Sequence, residues 1–224
     1  MRLIERELGL DVELKENKVS VIVVEDVAFR LPIVEGLYMQ VMGKDGNWLL
    51  VENEKNYELE KKAEIILEPF SLELNNKKVK NKLYQEIKTI AEDCFYSQGL
   101  EVHSNICIYL ENVLEKISYP VKYKEDWNVL ELLKAYGVEL EEESDNICEK
   151  LFHYIKLMNQ VCGISIFITV DLKQYLSEEQ IFELYKLAGY SKIQLILIEF
   201  NMCSEKLDCE DIYILDKDRC IITY

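Results

Sequence analysis

Val19-Ser20-Val21-Ile22-Val23-Val24-Glu25-Asp26-Val27-Ala28-Phe29-Arg30 decides the fold class. Six nearly continuous apolar and β-branched residues read as a strand buried on both faces, the mark of a parallel sheet flanked by helices. The pattern then predicts a helix from Val27 to about Val41. A mononucleotide-binding fold would place its phosphate loop in the turn between the two. That loop needs glycines, so that backbone N–H groups can wrap a phosphate, and a lysine. Here the turn holds no glycine and no Lys-Ser/Thr, and Glu25 and Asp26 stand where a phosphate would sit. Ordinary nucleotide binding is excluded. A shape resembling such folds is not.

Working outward, residues 1 to 70 are strand-rich, with further strands expected at Trp48–Val51 and Ala63–Leu67. The other end of the chain alternates in the same way. Ile164–Val170 reads as a strand, Ser177-Glu178-Glu179-Gln180 as a capping box, and Leu176 with Ile181 as its staple. Ile193–Ile198 is another buried strand, with shorter ones at 211–215 and 220–223. Strand–helix–strand order implies a parallel sheet with a right-handed crossover.

Between these ends, residues 71 to 162 read as helical throughout. Val79, Leu83, Ile87, Ile90 and Cys94 form one apolar stripe on a helix that runs to Gly99. Ser104 and Asp126 are candidate caps of the next two helices, Gly137 stops the second, and Ser144 starts a fourth. The economical architecture is one α/β head, 1–70 with 163–224, interrupted by an α-helical insertion, 71–162.

Composition fits this. The chain has 224 residues, about half apolar, with eight glycines and three prolines, which excludes a disordered or collagen-like protein. A chain of this length buries roughly 70% of its unfolded surface and needs no metal or disulfide to hold a core. Seven cysteines with no Cys-x-x-Cys pair, and only two histidines, argue against zinc and a disulfide framework. No apolar run nears the roughly 20 residues of a membrane span, and acids occupy the place of a signal peptide's apolar stretch. The expected compartment is the cytoplasm.

The net charge of −16 argues against a polyanionic partner, but Asn75–Lys88 is a local exception. It carries Lys77, Lys78, Lys80, Lys82 and Lys88 against Glu86, a charge of +4 that leaves −20 for the rest. Such a run is most often a solvated helix face; the sharper reading is a phosphate-contacting strip. Glu111, Glu115, Glu125, Asp126 and Glu131 bracket the break at Pro120, an oxygen-rich set that suits calcium if it is more than an ordinary acidic surface. Asp171 follows a strand and reads as a turn residue. No Ser/His/Asp arrangement is legible, so the protein is expected not to be an enzyme.

The stretch Trp127-Asn128-Val129-Leu130-Glu131-Leu132-Leu133-Lys134-Ala135-Tyr136-Gly137-Val138-Glu139-Leu140 resembles the CRISPR-associated adaptation proteins of type II-A systems. The likeness continues through Ser144–Lys150, and recurs at Ile166-Phe167-Ile168, Leu176–Gln180, Leu195–Glu199 and Ile22–Val27. It implies a parallel-sheet head resembling a degenerate P-loop NTPase fold, a helical leg, and a homotetrameric ring. That ring would bind free ends of double-stranded DNA, without catalysis and without reading bases, during spacer acquisition. The integrase and the effector nuclease would be its protein partners. The lysines carried into this role by charge in leg and hinge are Lys77, Lys78, Lys80, Lys82, Lys122, Lys124 and Lys134. The resemblance also implies structural calcium at the hinge, for which Glu115, Glu125, Asp126 and Glu131 match. The hinge departs from the family's acidic character, reading Ser118-Tyr119-Pro120-Val121-Lys122-Tyr123-Lys124. Two rivals stay open: a protein–protein adaptor of the adaptation complex, and a remnant nucleotide-binding enzyme built on Asp171.

Overall fold

The computed structural model describes residues 1–141, 146–201 and 207–224. Two compact units result, Met1–Glu73 with Glu143–Tyr224, and Leu74–Glu142. The chain runs β1 (Arg2–Glu5), β2 (Leu10–Glu13), β3 (Val19–Val24), α1 (Val27–Val41), β4 (Trp48–Glu52), β5 (Lys55–Tyr57), α2 (Leu59–Lys62) and β6 (Ala63–Ile66). Next come α3 (Lys77–Cys94), α4 (Tyr96–Leu114) and α5 (Val129–Ala135). It ends with α6 (Ile147–Cys162), β7 (Ile166–Val170), α7 (Glu178–Tyr190), β8 (Gln194–Glu199), β9 (Glu210–Leu215) and β10 (Ile221–Thr223).

The first unit is α/β around a six-stranded sheet of order β10-β9-β3-β8-β7-β6. All neighbours are parallel except the β10–β9 edge pair. All six residues of β3 are buried, as a strand covered on both faces requires. The pleat sends Ile22, Val24, Ile196 and Ile198 to one face, where they meet Ile33 and Leu37 of α1. That core also takes Leu3, Leu10, Val12, Trp48 and Leu50 from a small antiparallel sheet of order β2-β1-β4-β5. The capping box at the start of α7 forms: Gln180 N–H donates to Ser177 Oγ and Ser177 N–H to Gln180 Oε1.

The expected boundary at 162/163 moves. Helix α6 belongs with the α/β unit, where Leu151, Ile155 and Met158 are fully buried and the Tyr154 hydroxyl donates to Glu64 on β6 at 3.0 Å. An amphipathic stripe shows that a face is buried, not against what. The expected cap Ser144 lies outside the described residues; Asn146 accepts from Cys148 N–H at the start of α6.

The second unit is helical. Its chain breaks at Phe95, so Gly99 and Ser104 lie inside α4 rather than at a helix end and a cap. Gly99 lies against the Trp127 indole, from which a Cβ there would stand 3.4 Å, an ordinary van der Waals distance; the indole also contacts the His103 ring. Helix α5 is capped by Asn128, whose side chain accepts from Leu130 N–H, and not by Asp126. The α3 stripe is buried at Val79, half-buried at Leu83 and Ile87, and exposed at Ile90 and Cys94.

Candidate nucleic-acid interface

The start of α3 is held from two sides. The Asn76 side chain accepts the Val79 N–H at 3.0 Å, the bond that closes an orphan donor at a helix N-terminus. Asn75 makes a two-way bond with Leu140, its amide donating to the carbonyl at 2.9 Å and its oxygen accepting the N–H at 2.8 Å. Onto this braced end the chain loads Lys77, Lys78 and Lys80, with no acid in the first turn. A helix N-terminus favours anions and repels cations, so the placement violates a local preference. Positive side chains and a positive dipole end then point the same way, an arrangement that attracts phosphate.

Six of the seven expected lysines are exposed and one is half-buried. Lys78 and Lys82 stand one turn apart on one flank of the stripe that Val79 begins, and Lys77 lies on the face of α3 opposite buried Val79. Lys80 ion-pairs with Glu139 at 2.6 Å. Lys122 and Lys124 lie in the irregular segment between α4 and α5, and Lys134 in the last turn of α5. Lys124 pairs with Glu131 at 2.7 Å, and that hydrogen bond raises its pKa above the ordinary lysine value. Lys77, Lys82, Lys122 and Lys134 make no ion pair with a described residue.

The expected calcium ligands do not assemble. Glu115 ends α4, Glu125 and Asp126 are exposed in the irregular segment, and Glu131 sits in the first turn of α5 with one oxygen on Lys124. Among the described residues no three His, Cys, Asp or Glu side chains converge closely enough to hold a metal. A lysine already stands among these carboxylates, and it offsets their repulsion as an ion would. The residues, as they stand, do not fit calcium.

The turn after β3 is filled by the chain itself. The Arg30 guanidinium donates to the carbonyls of Val24 at 3.2 Å, Glu25 at 3.3 Å and Phe200 at 2.8 Å, and lies over the Phe200 ring. Asp26 caps α1 by accepting from Ala28 N–H. Asp171 is also committed: one oxygen accepts Phe200 N–H at 3.2 Å and the other the Gln174 amide at 2.8 Å. The sequence pattern alone does not single out Arg30. Its only signal was position, a long cation where a phosphate loop would need small residues.

The family model described as CRISPR-associated protein (Cas_Csn2) matches residues 40–219. The CRISPR-associated protein Csn2 of Streptococcus agalactiae is 28% identical over 94 residues, 42% of this chain and 41% of its own length. The chain thus spans about two fifths of the curated relative it matches. Among solved structures, cbiO1 of Clostridium perfringens, part of the ABC transporter complex cbiONQ, is 13% identical. That match covers 92% of this chain and 76% of the other with a TM-score of 0.48.

Proposed function

This chain belongs to the CRISPR-associated Csn2 family, and from that premise we propose that it is a non-catalytic DNA-end-binding protein of type II-A spacer acquisition. In this reading four copies close a ring, and linear double-stranded DNA threads through it. The observation that carries the reading is the lysine-loaded N-terminus of α3 in a chain of net charge −16. Four copies of that segment would bring about 16 positive charges around one duplex, and each phosphate neutralised adds roughly −0.9 to the salt slope. Acidic surfaces elsewhere would keep DNA from the wrong face. Contacts are to the backbone, so sequence is not read.

The α/β unit is read as a degenerate relative of P-loop NTPase folds. The parallel order about β3, and a turn closed by Arg30 instead of glycines, support this. No nucleotide and no calcium enters the function as proposed. Among the described residues no helix is long and apolar enough to cross a membrane, and the cytoplasm is the proposed compartment.

A second reading, an adaptor for the adaptation integrase or the effector nuclease, is favoured by α4. That helix has no buried residue and exposes Ile108, Tyr109 and Val113. In a ring these would meet another copy; in an adaptor they would meet a different protein.

The test is a gel shift of linear against covalently closed plasmid, with the protein's mass measured in solution. A tetramer that shifts only linear DNA is expected. Equal binding to the closed plasmid sinks threading, and a monomer with no DNA affinity turns the assignment to the adaptor.

A further inference from the structure

A buried acidic pair on the α7 face of the sheet takes no part in the lysine surface. Strand β8 ends at Glu199, which is 2% exposed and shares a sheet face with Leu195 and Leu197. Strand β9 begins at Glu210, fully buried on the same side. Between them reaches the turn that follows β7. Asp171 there adopts φ +53°, a left-handed conformation uncommon outside glycine. Three bonds tie this turn to the end of β8: Asp171 N–H to the Ile198 carbonyl at 2.8 Å, Phe200 N–H to Asp171 Oδ1, and Lys173 N–H to Glu199 Oε1 at 3.2 Å.

The charges do not balance. The Lys173 ammonium, itself nearly buried, bonds Glu210 Oε1 at 2.5 Å, and the Tyr185 hydroxyl of α7 donates to the same oxygen at 2.5 Å. Glu199 receives only a backbone N–H from this lysine, and its neighbours Asp171 and Glu210 are both acids. Burial is the largest influence and pushes the carboxyl up to about 7; the Lys173 N–H and charge oppose this, and Asp171 and Glu210 add to it. A buried carboxyl that lacks a cation of its own keeps its proton.

We propose that Glu199 is a proton-linked stability device, neutral in the folded α/β unit and destabilising that unit when it ionises beside Glu210. With Glu199 neutral, the Lys173 ammonium is left to Glu210, to which it bonds directly. On ionisation the Glu199 proton leaves to solvent, and a second negative carboxylate then stands buried near Asp171 and Glu210 with only that lysine to offset it. The device rests on the α/β unit alone and stands whether or not the protein binds DNA.

The sign follows from linkage. The unfolded chain loses the Glu199 proton in the ordinary carboxylate range, whereas the folded chain keeps it until near neutrality. Stability is therefore lost progressively as pH rises between those two values and is level above the higher one.

Melting temperatures from about pH 5.5 to pH 8.5 test this in wild type and Glu199→Gln, which keeps an acceptor for Lys173 N–H. Wild type should fall by several degrees and level off above neutrality, and Glu199→Gln should be flatter over the same span. Parallel curves overturn the proposal. If the variant fails to fold, a carbon-13 titration of glutamate-labelled wild type decides: one carboxyl with its midpoint near neutrality, assigned to Glu199 by backbone connectivity, is expected. All glutamates titrating in the ordinary range overturns it.

Discussion

The Lys124 ammonium lies 2.7 Å from Glu131 Oε1, seven residues away across the start of α5. This single contact joins a residue expected to touch DNA with one expected to bind calcium, and it occupies both. Both partners are exposed, so the pair contributes little stability, but it decides which groups are ready for other work.

Calcium should therefore leave the melting temperature unchanged. An ion that binds only the folded state raises stability with its concentration, so a resident ion would be seen as a concentration-dependent rise that chelator abolishes. The expected outcome of a melting series with calcium and with chelator is superimposable curves. A rise of several degrees would mean that calcium displaces Lys124 and draws the carboxylates together.

The same logic ranks the lysines. Lys78→Glu with Lys82→Glu should weaken DNA binding evenly across unrelated sequences and flatten the salt dependence by roughly 0.9 for each phosphate no longer neutralised. Lys80→Gln and Lys124→Gln should do less than Lys82→Gln, because each already faces a carboxylate of its own chain, whereas Lys82 makes no ion pair with a described residue. Fluorescence anisotropy on one duplex from low to moderate salt checks the order. An unchanged salt slope in the double variant removes this face of α3 from the contact surface.

How much of this the sequence shows depends on the range of the interaction. The long β-branched runs at β3, β7 and β8 declare themselves, because burial on both faces leaves no polar residue to interrupt them. Strands β1 and β2 do not. Four residues such as Arg2-Leu3-Ile4-Glu5 carry too little alternation to separate a strand from a loop, and only pairing with β4 makes them one. The stripe of α6 was legible, but its membership of the α/β unit was not. Gly99 was legible as a glycine, yet a helix stop and a position inside a helix look the same along a chain. The lysine run was read directly, while the partner that occupies Lys80 lies 59 residues on at Glu139.

Asn75 offers a check on the brace at the start of α3. Asn75→Ala removes both bonds to Leu140 and leaves a partly buried N–H and carbonyl without their partner. The cost should be about 1–3 kcal/mol, felt in the helical unit. Hydrogen exchange should show lost protection at Leu140 N–H, with the β3 and β8 amides unchanged. Weakened DNA binding in the same variant would tie the brace to the lysine strip.

Arg30 gives the sharpest contrast with a nucleotide enzyme. Its guanidinium meets carbonyls from Val24, Glu25 and Phe200 at once and covers the Phe200 ring, so it closes the turn that a phosphate would need open. Arg30→Ala leaves those carbonyls without a charged donor and should cost roughly 2–3 kcal/mol in urea denaturation. Arg30→Lys should recover little of this, since one ammonium cannot reproduce a planar fork that spans two strand ends. ATP should not raise the melting temperature of the wild-type protein, because its turn offers Glu25 and Asp26 where a nucleotide needs donors. A concentration-dependent rise with ATP in wild type would restore the remnant-enzyme reading and demand a phosphate site elsewhere on the sheet.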